Sequence, residues 1–404
     1  MPTCLICQSN FKPFVDFGQM PIANAFSAPE DIKSEYTFPM KVGFCNNCNM
    51  VQLVEQPDRE KMFHENYAFF SSTSSYMKEH FKKFSKNISV LQDLNQSSFV
   101  IELGCNDGIL LENYIKDSIP CLGIEPSRNV AEVAAGKGIE VINRFFDETL
   151  ADNILNTHKK ADAILSANVI CHIPYMHSIF GGVKKLLNDN GIFVFEDPYL
   201  GVIIEKTSFD QIYDEHVFLF SALSVSYLSN MHDLELINIE PQITHGGSMR
   251  YTIAHKGARA VSKNVSSLIH QEMKLGLNKN DAYVGFIDSI NKVKDELIDL
   301  LIKLKSEGKN VVAYGATSKS TTVTNYFGIS TELVECIYDN TPIKQNTLSP
   351  GMHIPVLPYD QFRDSNPDYV LLFAWNHSTE IMEKEKEFMK HRKWIIYVPE
   401  VKVI

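Results

Sequence analysis

Imidazole, carboxylate and thiol side chains cluster at a few points of this chain where their spacing could support chemistry. The densest group is Phe209-Asp-Gln-Ile-Tyr-Asp-Glu-His216, followed by apolar Val217-Phe-Leu-Phe220. On a helix, Tyr213 and His216 would share one face at i, i+3, with Asp214 and Glu215 pointing elsewhere. His216 is the natural general base, because an unperturbed imidazole already titrates near neutral pH. The bland alternative is a solvated helix face. No H-x-x-E or E-x-x-H spacing is present, so a metal is not expected there. A second imidazole, His172, falls in Asn168-Val-Ile-Cys-His-Ile-Pro174, just past an apolar run. The aromatic and hydroxyl-rich Phe63-His-Glu-Asn-Tyr-Ala-Phe-Phe-Ser-Ser-Thr-Ser-Ser-Tyr76 suits a linker that also lines a pocket, with Tyr67 its most prominent residue. His245-Gly-Gly-Ser-Met-Arg-Tyr251 sets His245 beside the permissive Gly246 and Gly247, and could bind an anion or simply reverse the chain.

Thiols make the clearest pattern. Cys4-Leu-Ile-Cys7 and Cys45-Asn-Asn-Cys48 are two C-x-x-C knuckles, and four soft ligands so arranged select tetrahedral zinc. No open coordination position is implied, so the metal is expected to be structural, nucleating a module with little core of its own. The proline-punctuated residues 13–39 separate the halves.

These groups need elements to position them. In Val100-Ile-Glu-Leu-Gly-Cys-Asn-Asp-Gly108 an apolar strand runs into a glycine-bearing turn and then into helix-like Ile109-Leu-Leu-Glu-Asn-Tyr114. Open α/β sheets bind cofactors outside the carboxyl end of such a strand. Gly104 and Gly108 allow close approach, while Glu102, Asn106 and Asp107 make the edge acidic, which suits a cationic ligand better than a pyrophosphate. Glu125 ends the next strand, where doubly wound folds grip ribose hydroxyls. Together these predict an S-adenosylmethionine pocket. Ala161-Asp-Ala-Ile-Leu-Ser-Ala-Asn168 and Gly191-Ile-Phe-Val-Phe-Glu196 extend the sheet, placing Asn168 and His172 over the cofactor.

The texture changes near Ala254. Residues 288–307 carry apolar side chains at helical spacing and stop at Gly308. Then Asn310-Val-Val-Ala-Tyr-Gly-Ala-Thr-Ser-Lys-Ser-Thr-Thr322 repeats the strand, glycine, small-residue turn logic, with Lys319 and hydroxyls such as Ser320 in place of the acids. That chemistry favours a phosphate. A Walker A loop is absent. Asp339 follows its strand as Glu125 does, so the chain carries two mononucleotide-binding units of opposite polarity.

Composition narrows the partners. The 404 residues exceed one core, and 38 basic against 49 acidic residues give −11 without a Lys/Arg cluster, which argues against nucleic acid. No run approaches a membrane span and no signal peptide opens the chain, so a cytoplasmic protein without disulfides is expected.

The chain resembles the zinc-containing nucleotide-sugar 3-C-methyltransferase family, typified by the tetronitrose pathway. The resemblance runs from the first knuckle to the last strand and is carried by Phe63-His-Glu, Glu102-Leu-Gly-Cys-Asn-Asp-Gly108, Cys171-His-Ile-Pro-Tyr175, Glu196-Asp-Pro-Tyr-Leu-Gly201, Ser208-Phe-Asp-Gln-Ile-Tyr-Asp-Glu-His216, Tyr314-Gly-Ala-Thr-Ser-Lys319 and Phe373-Ala-Trp-Asn-His377. It implies an α/β fold with a zinc-binding module (1–75), an S-adenosylmethionine-binding methyltransferase domain (76–254) and a Rossmann-like domain (255–404) helping to bind the nucleotide-sugar. Catalytic roles fall on Tyr67, His172, Tyr213, Glu215 and His216, with His216 as base. Substrate contacts are expected at His245, Gly246, Gly247, Lys319, Ser320 and Asn325. The implied reaction methylates C3 of a dTDP-linked 4-keto-deoxy sugar, by a monomeric enzyme. The related sequence carries an acidic residue where Ser248 stands, which leaves the sugar's substituents open, an amino group above all. O- or N-methylation, and non-catalytic nucleotide-sugar binding, are the competing readings.

Overall fold

A computed structural model describes residues 1–58, 62 and 70–404. Strands β1 (Lys12–Pro21), β2 (Thr37–Phe44) and β3 (Val51–Leu53) form an antiparallel meander. The helix Ser75–Gln92, capped by the Ser74 side chain, leads into a second sheet. Its parallel strands are β4 (Val100–Leu103), β5 (Cys121–Ile124), β6 (Glu140–Ile142), β7 (Ala161–Ala167) and β8 (Leu187–Pro198). Every residue of β4 and β5 is buried, because helices cover both faces, and such strands read as continuous apolar runs. The short β9 (Phe218–Leu219) then returns to the first sheet and pairs with β3. β10 (Leu234–Gln242) and β11 (Ser248–His255) complete the second sheet in the order β10-β11-β8-β7-β4-β5-β6, with β11 antiparallel to both neighbours. The winding reverses between β4 and β7, opening a crevice at their carboxyl ends.

The third sheet is built from β12 (Val311–Tyr314), β13 (Ile337–Asp339), β14 (Thr347–Leu348), β15 (Pro355–Pro358), β16 (Tyr369–Leu372), β17 (Lys393–Ile396) and β18 (Lys402–Val403). Its order is β14-β15-β13-β12-β16-β17-β18, parallel except at the edges, and it reverses between β12 and β16.

The helix expected over 288–307 begins earlier, at Asn280, and ends at Ser306. Its buried stripe starts with Tyr283 and Phe286, and Tyr283 stacks on Phe14 at 4.9 Å and Phe44 at 4.6 Å. The first turns are therefore held by the small sheet, a distant partner that local periodicity does not announce. The N-terminal module is packed from two sides. Its knuckle residues share a core with Phe193 of β8, Phe180 of the helix Met176–Leu186 and Phe220 just after β9, whereas Val15, Phe17 and Met20 share one with the long helix and the third sheet. Among the described residues, no helix is long and apolar enough to cross a membrane.

Candidate active site

The β4/β7 crevice opens into a cavity of about 630 Å³. Leu103, Gly104, Cys105 and Asn106 line it from the first turn, Glu125 and Pro126 from the end of β5, and Asn168, Val169 and His172 from the end of β7. Gly104 has φ +70° and a Cβ there would lie 2.4 Å from Val169; Asn106 is also left-handed, at φ 49°. Glu125 binds the turn from beneath, accepting from Asn106 N at 2.9 Å through one oxygen and from Ser127 N at 2.8 Å through the other. A strap just before the helix Ser75–Gln92 closes the far side. Ser71 N donates to Asn106 Oδ1 at 3.0 Å and Ser72 N to Asp107 Oδ2 at 2.9 Å, while Ser71, Ser74 and Tyr76 face the cavity.

Two buried acceptors, Glu102 Oε2 and Asn168 Oδ1, have no hydrogen-bond partner among the described residues. Burial pushes the Glu102 carboxyl well up, and the neighbouring Glu125 and Asp107 add to it; burial likewise raises Glu125. An edge of crowded acids with unspent acceptors fits a cationic, donor-bearing ligand such as S-adenosylmethionine. Gly108 (φ +78°) and Asp107 hold the turn itself, Gly108 lying against Ile139 and Ala134.

Deeper in the molecule lies the loop 209–216. It is not the helix the i, i+3 pairing supposed: a short 3-10 turn, Phe209–Gln211, gives way to a bend in which His216 N donates to Tyr213 O at 3.0 Å. Long-range contacts override helix formation, since almost every residue is committed to a distant partner. Asp210 Oδ2 accepts from Trp375 Nε1 and Tyr397 OH, each at 2.6 Å. Ile212 O accepts from Thr322 Oγ1 at 2.9 Å, and Asp214 Oδ1 from Ala23 N at 2.9 Å. None of the acids is a solvated face: Asp210, Asp214 and Glu215 are all buried, and burial raises each of them.

The bend still brings Tyr213 and His216 together. His216 Nδ1 lies 2.6 Å from Gln211 O, so this nitrogen carries the proton and Nε2 is the basic one, accepting from Tyr213 OH at 2.9 Å. The His216 ring stacks on His172, with centroids 5.2 Å apart and 24° between planes. His172 in turn lines the cavity, so the base stands one ring behind the cofactor crevice. Burial drives His216 well below the ordinary imidazole range, with His172 adding to it, and drives His172 down to about 4. Asp197, raised to about 8 by burial, accepts from Cys171 N at 3.1 Å and so holds the turn that carries His172. Cys171, His172 and His216 place ligand-type atoms within 4.8 Å of one another. Nearly parallel rings, with His216 Nδ1 spent on Gln211, suit two imidazoles sharing a wall better than two ligands converging on one ion.

The remaining candidates divide. His245 (φ 53°) lines the cavity, and burial depresses it to about 3, with Lys319 contributing. Lys319 is half-buried near Asp210, in the first turn of the helix Ser318–Phe327, and its pKa is lowered by burial. Gly246 and Gly247 are needed for close packing: a Cβ would lie 2.4 Å from Trp375 and 2.5 Å from Val202, respectively. Ser320 is spent on its helix terminus, its Oγ donating to Thr317 O at 2.6 Å. Asn325 braces a turn away from the cavity, donating to Thr321 O and Pro350 O. Tyr67 lies outside the described residues. Sequence reasoning gave Asn376 and His377, which line the cavity from the turn after β16, no role beyond the resemblance motif that contains them, and passed over Asn24 and Lys344, which meet Glu215. The turn after a central parallel strand was the available signal for the first pair; nothing local marks the second.

The knuckles converge as expected. The Cys4 and Cys48 sulfurs are 3.5 Å apart, those of Cys7 and Cys45 3.4 Å, and all four lie within 4.8 Å of one another. Zinc with Zn–S bonds of about 2.3 Å needs S···S edges of roughly 3.8 Å, so the set fits a closed structural zinc. Ile6 N donates to Cys4 Sγ at 3.4 Å, and Gln52 Oε1 accepts from Leu5 N at 3.2 Å.

Sheet order, acidic crevice and thiol set together define a Rossmann-like, S-adenosylmethionine-dependent methyltransferase carrying a zinc module. Three family descriptions match in succession: "Putative zinc binding domain" over residues 4–63, "Methyltransferase domain" over 76–238 and "C-methyltransferase C-terminal domain" over 243–399. C-methyltransferase NovU of Streptomyces niveus is 30% identical over 405 residues, covering 99% of this chain and 96% of that protein. The chain belongs to this zinc-containing C-methyltransferase family. Fainter likenesses link it to a solved S-adenosylmethionine-dependent methyltransferase from Clostridium acetobutylicum ATCC 824 (13% identity, 46% of this chain, 94% of that one, TM-score 0.35). A magnesium protoporphyrin IX methyltransferase from Synechocystis PCC 6803 with bound SAH is similarly distant (11% identity, 44% and 83%, TM-score 0.35).

Proposed function

We propose that this C-methyltransferase methylates C3 of a dTDP-linked 4-keto-deoxy sugar through an enolate, in the cytoplasmic biosynthesis of a branched-chain deoxysugar, acting as a monomer. The observation that carries the reading is the His216 imidazole, with Nδ1 tied to Gln211 O, Nε2 basic, and the ring stacked on the cavity wall. A carbon nucleophile needs an adjacent ketone to release its proton, and a 4-keto sugar supplies one next to C3.

His216 Nε2 takes the C3 proton. Burial favours the unprotonated imidazole at neutral pH, as a base requires. The Tyr213 hydroxyl, which donates to Nε2, turns to the developing C4 oxyanion, joined by His172 and Tyr67. Glu215 holds a sugar hydroxyl, and Lys319 and His245 meet the nucleotide side. Glu102, Asn106, Glu125 and Asn168 would hold S-adenosylmethionine, with Asp107 bracing their turn, and its sulfonium would supply an electrophilic methyl group. The strap over the turn excludes water from the reacting carbons.

Incubation with labelled methyl donor and dTDP-, GDP- and CDP-linked 4-keto sugars tests the substrate, and product NMR locates the methyl group. A methyl on oxygen or nitrogen selects the alternative chemistry. In deuterated water, His216→Ala should abolish C3 exchange together with turnover; exchange at the wild-type rate excludes His216 as base.

A further inference from the structure

One side chain joins all three sheets beside the base loop. Asn24, three residues past the end of β1 at Pro21, stands between Glu215 and the helix Ser318–Phe327. Its Nδ2 donates to Glu215 Oε1 at 2.9 Å and to Ser318 Oγ at 2.8 Å, and its Oδ1 faces Lys344 Nζ at 3.4 Å. Docking of this segment does not need that amide. The preceding residue already docks it through the backbone: Ala23 N donates to Asp214 Oδ1 and Ala23 O accepts from Thr321 Oγ1, both at 2.9 Å. Ala23 is buried, whereas Asn24 is only half-buried, so the Asn24 side chain is not filling core space. Its two amide protons go instead to a buried carboxylate next to the base and to the turn that leads to Lys319.

We propose that Asn24, supplied by the zinc module, is a positioning residue of the active site that holds the Glu215 carboxylate in the orientation in which it meets the substrate. This rests on the reading of Glu215 as a substrate-binding group. The zinc module is then part of the catalytic apparatus and not only a folding aid. It reaches the same loop a second way, because β3 pairs with β9, the strand that follows His216, and Leu53 N donates to Val217 O at 2.8 Å.

Glu215 is adjacent to Asp214 and His216 on its own loop. It also faces Cys171 from the turn after β7, Lys344 from the third sheet and Asn24 itself. Burial pushes its carboxyl up; the Asn24 bond and the Lys344 charge pull it down. Removing the amide should therefore move Glu215 ionisation to higher pH.

The test uses full-length, zinc-loaded protein: wild type, Asn24→Ala, Asn24→Asp and Glu215→Gln. Infrared pH titration, with Glu215→Gln as the blank, reads the Glu215 carboxyl directly and needs no substrate. Its midpoint should rise by roughly one pH unit in Asn24→Ala, and further in Asn24→Asp, where a second carboxylate faces the first. With dTDP-4-keto-6-deoxyglucose as probe, kcat of Asn24→Ala should fall roughly tenfold or more, and the acid limb of its pH profile should move up in step. Zinc content, melting temperature and S-adenosylmethionine affinity should not change. An unmoved infrared midpoint overturns the proposal, and so does a moved midpoint with unaltered kcat. If Glu215→Gln turns over as wild type does, or wild type leaves the probe sugar unmethylated, the proposed function fails instead, and the infrared midpoint still decides whether Asn24 governs Glu215.

Discussion

The second and third sheets open with the same device and put it to different uses. In the second, Gly104 N donates to Ile124 O at 2.8 Å, and Glu125 accepts from Asn106 N with one oxygen and from Ser127 N, two residues on, with the other. In the third, Gly315 N donates to Tyr338 O at 2.8 Å, and Asp339 accepts from Ala316 N and from Thr341 N, again two residues on, both at 2.7 Å. Around Glu125 the crevice is a cavity of about 630 Å³. Around Asp339 protein fills the equivalent place: Lys344 Nζ donates to Ala316 O at 2.8 Å, while Thr321 and Thr322 hold Ala23 and Ile212. A strand-end acid that ties down a glycine turn can thus serve a small ligand or dock another part of the chain. What lies beyond the turn decides which.

The largest effect should come from removing what docks at the third sheet. Stripping zinc with a chelator should release the module that carries residues 22–24 and abolish turnover, with a melting temperature well below that of the loaded protein. Metal analysis and calorimetry would follow both; full activity in metal-free protein would break the comparison. A smaller, sharper contrast comes from the two acids. Glu125→Gln should weaken S-adenosylmethionine binding roughly 10- to 100-fold, because it removes a charged acceptor at an open crevice. Asp339→Asn should leave that affinity within about threefold and instead lower the melting temperature by a few degrees, through weaker bonds to Ala316 and Thr341. Equal losses of cofactor affinity, measured by calorimetry, would mean that both crevices bind the cofactor.

Much of this was legible in the sequence because it is local. Buried parallel strands read as apolar runs, the turn glycines and following acids stand at fixed offsets, and paired C-x-x-C knuckles carry their own geometry. The loop 209–216 was legible as a group of reactive side chains but not as a shape. Its bend depends on Trp375, Tyr397, Thr322 and Ala23, all far away in sequence. Asn24 sits in a proline-rich stretch that reads as a spacer, and Asn325, which suits a polar ligand as well as any asparagine, spends its amide on Pro350. Local chemistry names the groups able to react; long-range packing decides which of them meet.

The smallest expected effect probes His245, which lines the cavity and whose imidazole feels the Lys319 charge. Burial and the Lys319 charge depress the His245 imidazole to about 3, so the folded protein resists protonating it while the unfolded chain accepts the proton near 6.5. The stabilisation this represents is complete above pH 6.5 and is lost as pH falls from there toward 3. Asparagine tolerates the left-handed backbone of residue 245 and cannot titrate. His245→Asn should therefore lose less melting temperature than wild type between pH 7 and pH 5, by roughly 1–3 °C. His172 and His216 are present in both proteins, so their shares of the acid response cancel in this difference. Identical losses in the two proteins would place the His245 ring in solvent, outside the field of Lys319.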